Sequence, residues 1–205
     1  MLFKMRSAYS IAVLSAALTV AAVASAAYKA ENAEVLVHAK GPLGLSIDGK
    51  SKKLIIEEND KTVTFKTFLN SIDTGNSMRN EHMQKRLGKV AKKDAQGKCE
   101  RDTEGKPVWE EKPHLEIKLS VPKDKIDPAK GGTVEGTLSF HRVSKPQKVT
   151  YSVAGNRVSA SFEFNVHDFF TPNEGYSKED KEKLLCNTGV CAKPEVKVEV
   201  KFDYK

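Results

Sequence analysis

The chain has 205 residues, of which 39% are hydrophobic and 30% charged, with a formal net charge of +7. That balance is mildly basic and lacks the strong basic stripe expected of a nucleic-acid binder. The length suits one domain with a single core or barrel.

Lys4 and Arg6 precede an uncharged apolar run from Ile11 to Val23, and Ala24-Ser25-Ala26 gives the small-x-small pattern of a signal-peptidase site. The run is shorter than the roughly 20 residues of a membrane span. No Cys stands at the end of the run to carry a lipid. Residues 1–26 are therefore expected to be a cleaved signal peptide and 27–205 the mature domain, exported and soluble. Lys4 and Arg6 are the only charges in the leader, so the mature chain carries +5.

The earliest strands are predicted over Glu34 to Ala39, Leu43 to Asp48 and Lys52 to Glu57, with a polar turn at Glu58-Asn59-Asp60-Lys61. Next, Val63, Phe65, Thr67 and Leu69 alternate with Thr62, Thr64, Lys66 and Phe68. Asn76 is placed as the N-cap of a helix from Ser77 to Leu87 that stops at Gly88. From Lys85 to Arg101 there are seven Lys or Arg against two acids. Such a run either draws the domain to anionic lipid head groups or is a solvated loop. Its interleaved Gly, Gln and Asp give it no amphipathic order, which favours the loop.

Alternation resumes over Leu115 to Val121, Val134 to Phe140 and Val149 to Val153. The hairpin signal Ala154-Gly155-Asn156-Arg157 leads into Val158 to Val166. Residues 171–194 interrupt the pattern, with Ser177-Lys178-Glu179-Asp180 as a capping box opening a helix through Leu185. A last alternating run covers Val196 to Tyr204. Each run has one wet face and one buried face, the signature of antiparallel sheet. Eight or nine such strands with little helix must stack as a sandwich or close on themselves.

The cysteines are Cys99, Cys186 and Cys191. An exported chain permits disulfides. A local Cys186–Cys191 pair around Gly189 is favoured, with Cys99 free; a bridge from Cys99 to either of the others is the alternative. No His or second Cys pair stands at ligand spacing, so no metal is expected.

The inward faces carry Phe65, Leu119, Leu138, Phe140, Tyr151, Phe162, Phe164 and Phe202. Alternation alone leaves open whether they fill the interior or line a cavity. Gly136 and Ala160, in mid-strand on the same faces, argue for some space, although a strand Gly also marks close approach. On the first helix, Arg79, His82, Met83 and Arg86 share one side. They either plug a pocket mouth and touch a ligand head group, or cap the barrel with Arg79 and His82 bonded to loop carbonyls or to Asp73. No helical zinc motif, nucleophile elbow or phosphate loop occurs, and the chain is not expected to be an enzyme. A site assembled in space from His82, His141 or His167 with a carboxylate is the remaining catalytic reading.

Ser71-Ile72-Asp73-Thr74-Gly75-Asn76-Ser77-Met78-Arg79-Asn80-Glu81-His82 resembles the S-x-D-T-G-N-x-x-R-D-E-H signature of the YceI-like family of periplasmic polyisoprenoid-binding proteins. Gly136 to Pro146 is similar to that family's G-x-L-x-x-H-G-V-x-K-P hairpin, Ser161 to Phe169 to its late strand, and Pro194 to Tyr204 to its terminal strand. The chain departs from the pattern at Asn80, where the family has Asp, and at Arg142, where it has Gly. The family's aromatic segment after the helix is replaced by the basic stretch, Cys99 and Trp109.

The resemblance implies an all-β fold: a single antiparallel eight-stranded lipocalin-like β-barrel with short capping helices in two long loops. It implies a periplasmic location, with secretion as the alternative. It also favours a cavity at the inward faces holding an isoprenoid-type chain, polyprenyl or quinone-like, as carrier or buffer; transient contact to a membrane surface is the less favoured reading of the basic stretch alone. No cofactor other than such a bound lipid is implied. The reading from a different class is a filled barrel acting through its loops as a stress-response or protein-interaction module.

Overall fold

The structure, a computed structural model, describes residues 26–112, 114–187 and 190–203. The expected signal peptide, apart from Ala26, lies outside the described residues. In chain order the elements are β1 (Ala26–Lys29), β2 (Glu31–Lys40), β3 (Ser46–Ser51), β4 (Ile55–Glu58) and β5 (Thr62–Phe68); then α1 (Ser77–Leu87), β6 (Lys89–Ala91) and β7 (Trp109–Glu111); then β8 (Glu116–Pro122), β9 (Gly132–Phe140), β10 (Val143–Ala154) and β11 (Arg157–Asn165); and finally α2 (Lys178–Leu184), β12 (Cys186–Asn187), β13 (Val190–Cys191) and β14 (Glu195–Asp203).

Ten strands form one antiparallel sheet in the order β1-β4-β5-β8-β9-β10-β11-β14-β2-β3. The fold is thus all-β, a curled, barrel-like sheet with two helices. Its inner face is the core. Leu138 and Phe140 of β9, and Val198, Val200 and Phe202 of β14, are buried at every second position, as period-two alternation requires.

Local chemistry explains most element boundaries. Asn76 caps α1 by accepting from the Arg79 amide at 3.0 Å, and the Gly88 amide closes the helix on the Gln84 carbonyl at 2.8 Å. Ser177 and Asp180 make the expected capping box of α2. The second predicted strand starts later than expected. Pro42 lacks an N–H, and Leu43 and Gly44 have φ of 57° and 79°, so β3 begins only at Ser46.

The basic stretch expected as a solvated loop is instead a folded excursion. Lys89–Ala91 pairs with Trp109–Glu111, and the pairing continues through bridges between Lys93 and Cys99 and between Arg101 and Pro107. Two turns of like chemistry hold it. Asp94 Oδ1 accepts from the amides of Gln96 and Lys98, and Asp102 Oδ1 from those of Glu104 and Lys106, at 2.8–2.9 Å. These Asx turns end at Gly97 and Gly105, both at φ 77°. The repeated Asp-x-x-Gly-Lys is the sequence signal for them.

Candidate functional site

Inside the curled sheet lies a cavity of about 340 Å3. β2, β4, β5, β8, β9, β10, β11 and β14 all contribute to its wall. The eight apolar side chains expected to face inward, Phe65, Leu119, Leu138, Phe140, Tyr151, Phe162, Phe164 and Phe202, all line it. The rings of Phe65 and Phe202, on strands that are not neighbours, approach to 5.7 Å. Ala160 lines the cavity, and its short side chain leaves room there. Gly136 does not. A Cβ on it would stand 2.6 Å from the Ser120 carbonyl oxygen, so this glycine serves the close approach of β8 and β9.

The two ends of the cavity differ. At one end the lining reaches Lys123, Pro128, Gly155 and Asn156, all exposed, in the loop after β8 and the β10–β11 hairpin. Tyr151, on the wall here, accepts a hydrogen bond from the Asp127 amide at 2.6 Å and so ties that loop to the sheet. At the other end the lining passes under α1, which contributes Met83 and Leu87, both half-buried.

Neither Arg79 nor His82 lines the cavity. Arg79 is exposed and His82 half-buried on α1. Asp73 is held by Asn80 instead: Asn80 Nδ2 donates to Asp73 Oδ1 at 2.8 Å, while Asn80 Oδ1 accepts from the Thr74 amide and hydroxyl at 2.9 and 2.7 Å. The Asn80 amide and the Gly75 N–H together lower the Asp73 pKa. An Asp at position 80 would offer no donor to Asp73, so the Asn departure has a local reason.

An aromatic plug closes the α1 end. Phe169 and Phe170 are fully buried and meet Phe140 edge-on, with ring centroids 6.1 and 5.9 Å away. Tyr176 packs against Phe170 at 4.8 Å and against Trp109 at 4.6 Å. Its hydroxyl donates to the Lys89 carbonyl at 2.6 Å, and its burial raises its pKa. The sequence reading missed this plug; the adjacent Phe169-Phe170, where alternation breaks, was its signal.

Arg142 and Glu174 bind the excursion to the plug. His141 and Arg142 form the two-residue turn between β9 and β10, both left-handed at φ 51° and 61°. Arg142 donates to the Ala91 carbonyl at 3.0 Å and lies 3.5 Å from Glu174, which Lys93 approaches at 3.2 Å. The Arg that stands in place of the family's Gly thus secures the segment that replaces the family's aromatic one.

His141 is buried beneath this turn with its ring 4.2 Å from Phe170. Burial pushes its pKa down to about 4, with the Leu87 carbonyl opposing and Arg142 adding to the fall. His167 lies in the turn after β11, and burial lowers its pKa too. His82, His141 and His167 are all absent from the cavity wall, and no trio of metal-ligating side chains gathers among the described residues. Cys186 and Cys191 are joined by a disulfide between β12 and β13, and Cys99 is a free, half-buried thiol.

The fold is similar to two solved structures. One is a polyisoprenoid binding domain from Saccharophagus degradans implicated in plant cell wall breakdown, with 15% identity, a TM-score of 0.54, and coverage of 89% of this chain and 100% of that one. The other is BcnA of Burkholderia cenocepacia, with 17% identity, a TM-score of 0.48, and coverage of 84% and 96%. No curated protein matches. The sequence itself matches the YceI-like domain over residues 29–204, and by that match the chain belongs to the YceI-like domain family.

Proposed function

We propose that this protein holds an isoprenoid-type or similar long-chain lipid inside its sheet, as a carrier or buffer outside the cytoplasm. The carrying observation is the cavity: about 340 Å3 of space walled by apolar side chains from eight strands. Apolar surface leaving water drives a hydrocarbon chain into such a space. At about 25 cal/mol per Å2, burial of several hundred Å2 of tail is worth several kcal/mol before ordering costs, which suits a cargo that must be released. The likeness to a polyisoprenoid binding domain and membership of the YceI-like family support the same class of ligand.

Closure of the sheet as an eight-stranded barrel is part of this reading. β1 runs into β2 across Ala30, and β3 into β4 across residues 52–54. β1 pairs with β4 and β2 with β3, so the two edges of the sheet belong to one bent hairpin. Merging each pair leaves eight strands around the lumen. The periplasmic setting is supported by the leader pattern ending at Ala26 and by the Cys186–Cys191 bond.

The test is native purification followed by organic extraction and mass spectrometry. A stoichiometric isoprenoid or long-chain lipid is expected. An empty extract, together with no saturable uptake of polyprenyl quinones, would refute the reading and leave a module that acts through its loops.

A further inference from the structure

The loop joining β2 and β3 combines two features that folding alone disfavours. Leu43 and Gly44 are both left-handed, the geometry of a two-residue type I′ turn, for which Asn-Gly is the ordinary choice. Here the first position is Leu. Its side chain is 101% exposed, and Leu45 next to it is 66% exposed. A large apolar side chain thus sits on a backbone conformation that resists it and in water that resists it too.

The neighbourhood is suited to one kind of partner. Lys40 and Lys193 flank the tip, joined through the Lys193 amide and the Lys40 carbonyl at 2.7 Å. Both are exposed, and neither forms an ion pair among the described residues. Met78, also 66% exposed, belongs to the first turn of α1. The chain leading into α1 pairs antiparallel with β3 at Lys50 and Asp73, which directs it toward the same end of the sheet. At the opposite end several basic side chains are matched, Lys123 with Glu58, Lys125 with Asp124 and Arg157 with Asp203, and no large apolar side chain stands fully exposed among the described residues.

We propose that the β2–β3 tip is a membrane-docking edge, which sets Leu43 and Leu45 into the interface of an anionic phospholipid bilayer while Lys40 and Lys193 meet its head groups. Apolar insertion and attraction to anionic lipid add in such a contact. The docking edge is then this tip and not the basic excursion, whose Lys93 is turned inward to Glu174 and the Asn173 carbonyl. The contact goes beyond the holding of a lipid in the cavity and does not depend on it.

The experiment is sedimentation of the purified protein with vesicles of phosphatidylcholine alone and of phosphatidylcholine mixed with phosphatidylglycerol in equal parts. The protein should sediment with the mixed vesicles. Leu43→Asn, which suits the left-handed position and should melt no lower than the parent, should weaken that binding at least about tenfold. The pair Lys40→Gln and Lys193→Gln should remove the preference for anionic vesicles. Failure of the parent protein to bind, undiminished binding of Leu43→Asn, or loss of binding through Lys125→Gln with Lys130→Gln, both exposed at the opposite end, in its stead would overturn the proposal. Lipid extracted from the same preparations reports on the cavity separately: Leu43→Asn should keep its cargo.

Discussion

The imidazole Nε2 of His141 lies 2.5 Å from the main-chain oxygen of Leu87. That one contact joins the β9–β10 turn to the last turn of α1, the helix that covers one end of the cavity. Because the carbonyl can only accept, the nitrogen must carry the proton. His141 Nδ1 is buried without a partner among the described residues, so a second proton would be placed in an apolar setting.

This gives a pH dependence with a definite sign. The folded pKa of His141, about 4, lies below its ordinary value of 6.5. As pH falls the unfolded chain binds the proton first, so stability is complete above the unfolded pKa and is lost as pH drops toward about 4. The loss is at most about 3 kcal/mol. Denaturant midpoints taken across that window should fall more steeply for the parent than for His141→Gln. Parallel curves would refute the assignment.

Glu174 is 9% exposed between Lys93 and Arg142. Glu174→Gln leaves two cations facing a neutral amide and should cost about 1–3 kcal/mol. The damage should be local, because the acid joins the plug to the excursion at Lys93 and to the sheet only at the β9–β10 turn, through Arg142. Limited proteolysis is expected to cut earlier between Lys92 and Val108, with the sheet surviving. An unchanged cleavage pattern would count against this role.

Gly136→Ala should destabilise the fold by about 1–3 kcal/mol through overpacking. The added carbon would meet the Ser120 carbonyl at 2.6 Å and Val121 Cγ1 at 2.8 Å, and a backbone neighbour cannot rotate away. Chemical denaturation checks the loss. A variant as stable as the parent would show that β8 and β9 can separate there without cost.

Ala160→Phe adds a ring to the cavity wall. Bound lipid should fall at least about tenfold, the effect of losing roughly 1.4 kcal/mol of apolar contact. The circular dichroism spectrum should stay that of the parent. Full lipid content in a folded Ala160→Phe protein would argue that the chain does not lie along β11.

Where the chain's own alternation controls structure, the sequence reading and the structure agree. Gly155, at φ 63°, closes the β10–β11 hairpin, and the register that follows sets Tyr151 opposite Ala160. A period-two pattern leaves no freedom once one face must be dry. The face of α1 was harder to read. Its Arg79, His82 and Met83 share a side by spacing, yet only Met83, with Leu87, meets the cavity. The tilt of a helix over a barrel end depends on what it lands on, and His141 and the segment before β8 lie far away in sequence.

By itself, the sequence determined the antiparallel strands, the caps of both helices and the apolar faces, and it favoured the pairing of Cys186 with Cys191 that the structure then shows. All are short-range properties: alternation, capping hydrogen bonds and small loops. Only the tertiary structure decided that those faces leave a cavity, that Phe169 and Phe170 plug one end, and that Arg142 and Glu174 hold the basic excursion. Volume and ion pairing across 30 or more residues arise from how strands curl and loops meet. A pattern along the chain carries the faces but not the distance between them.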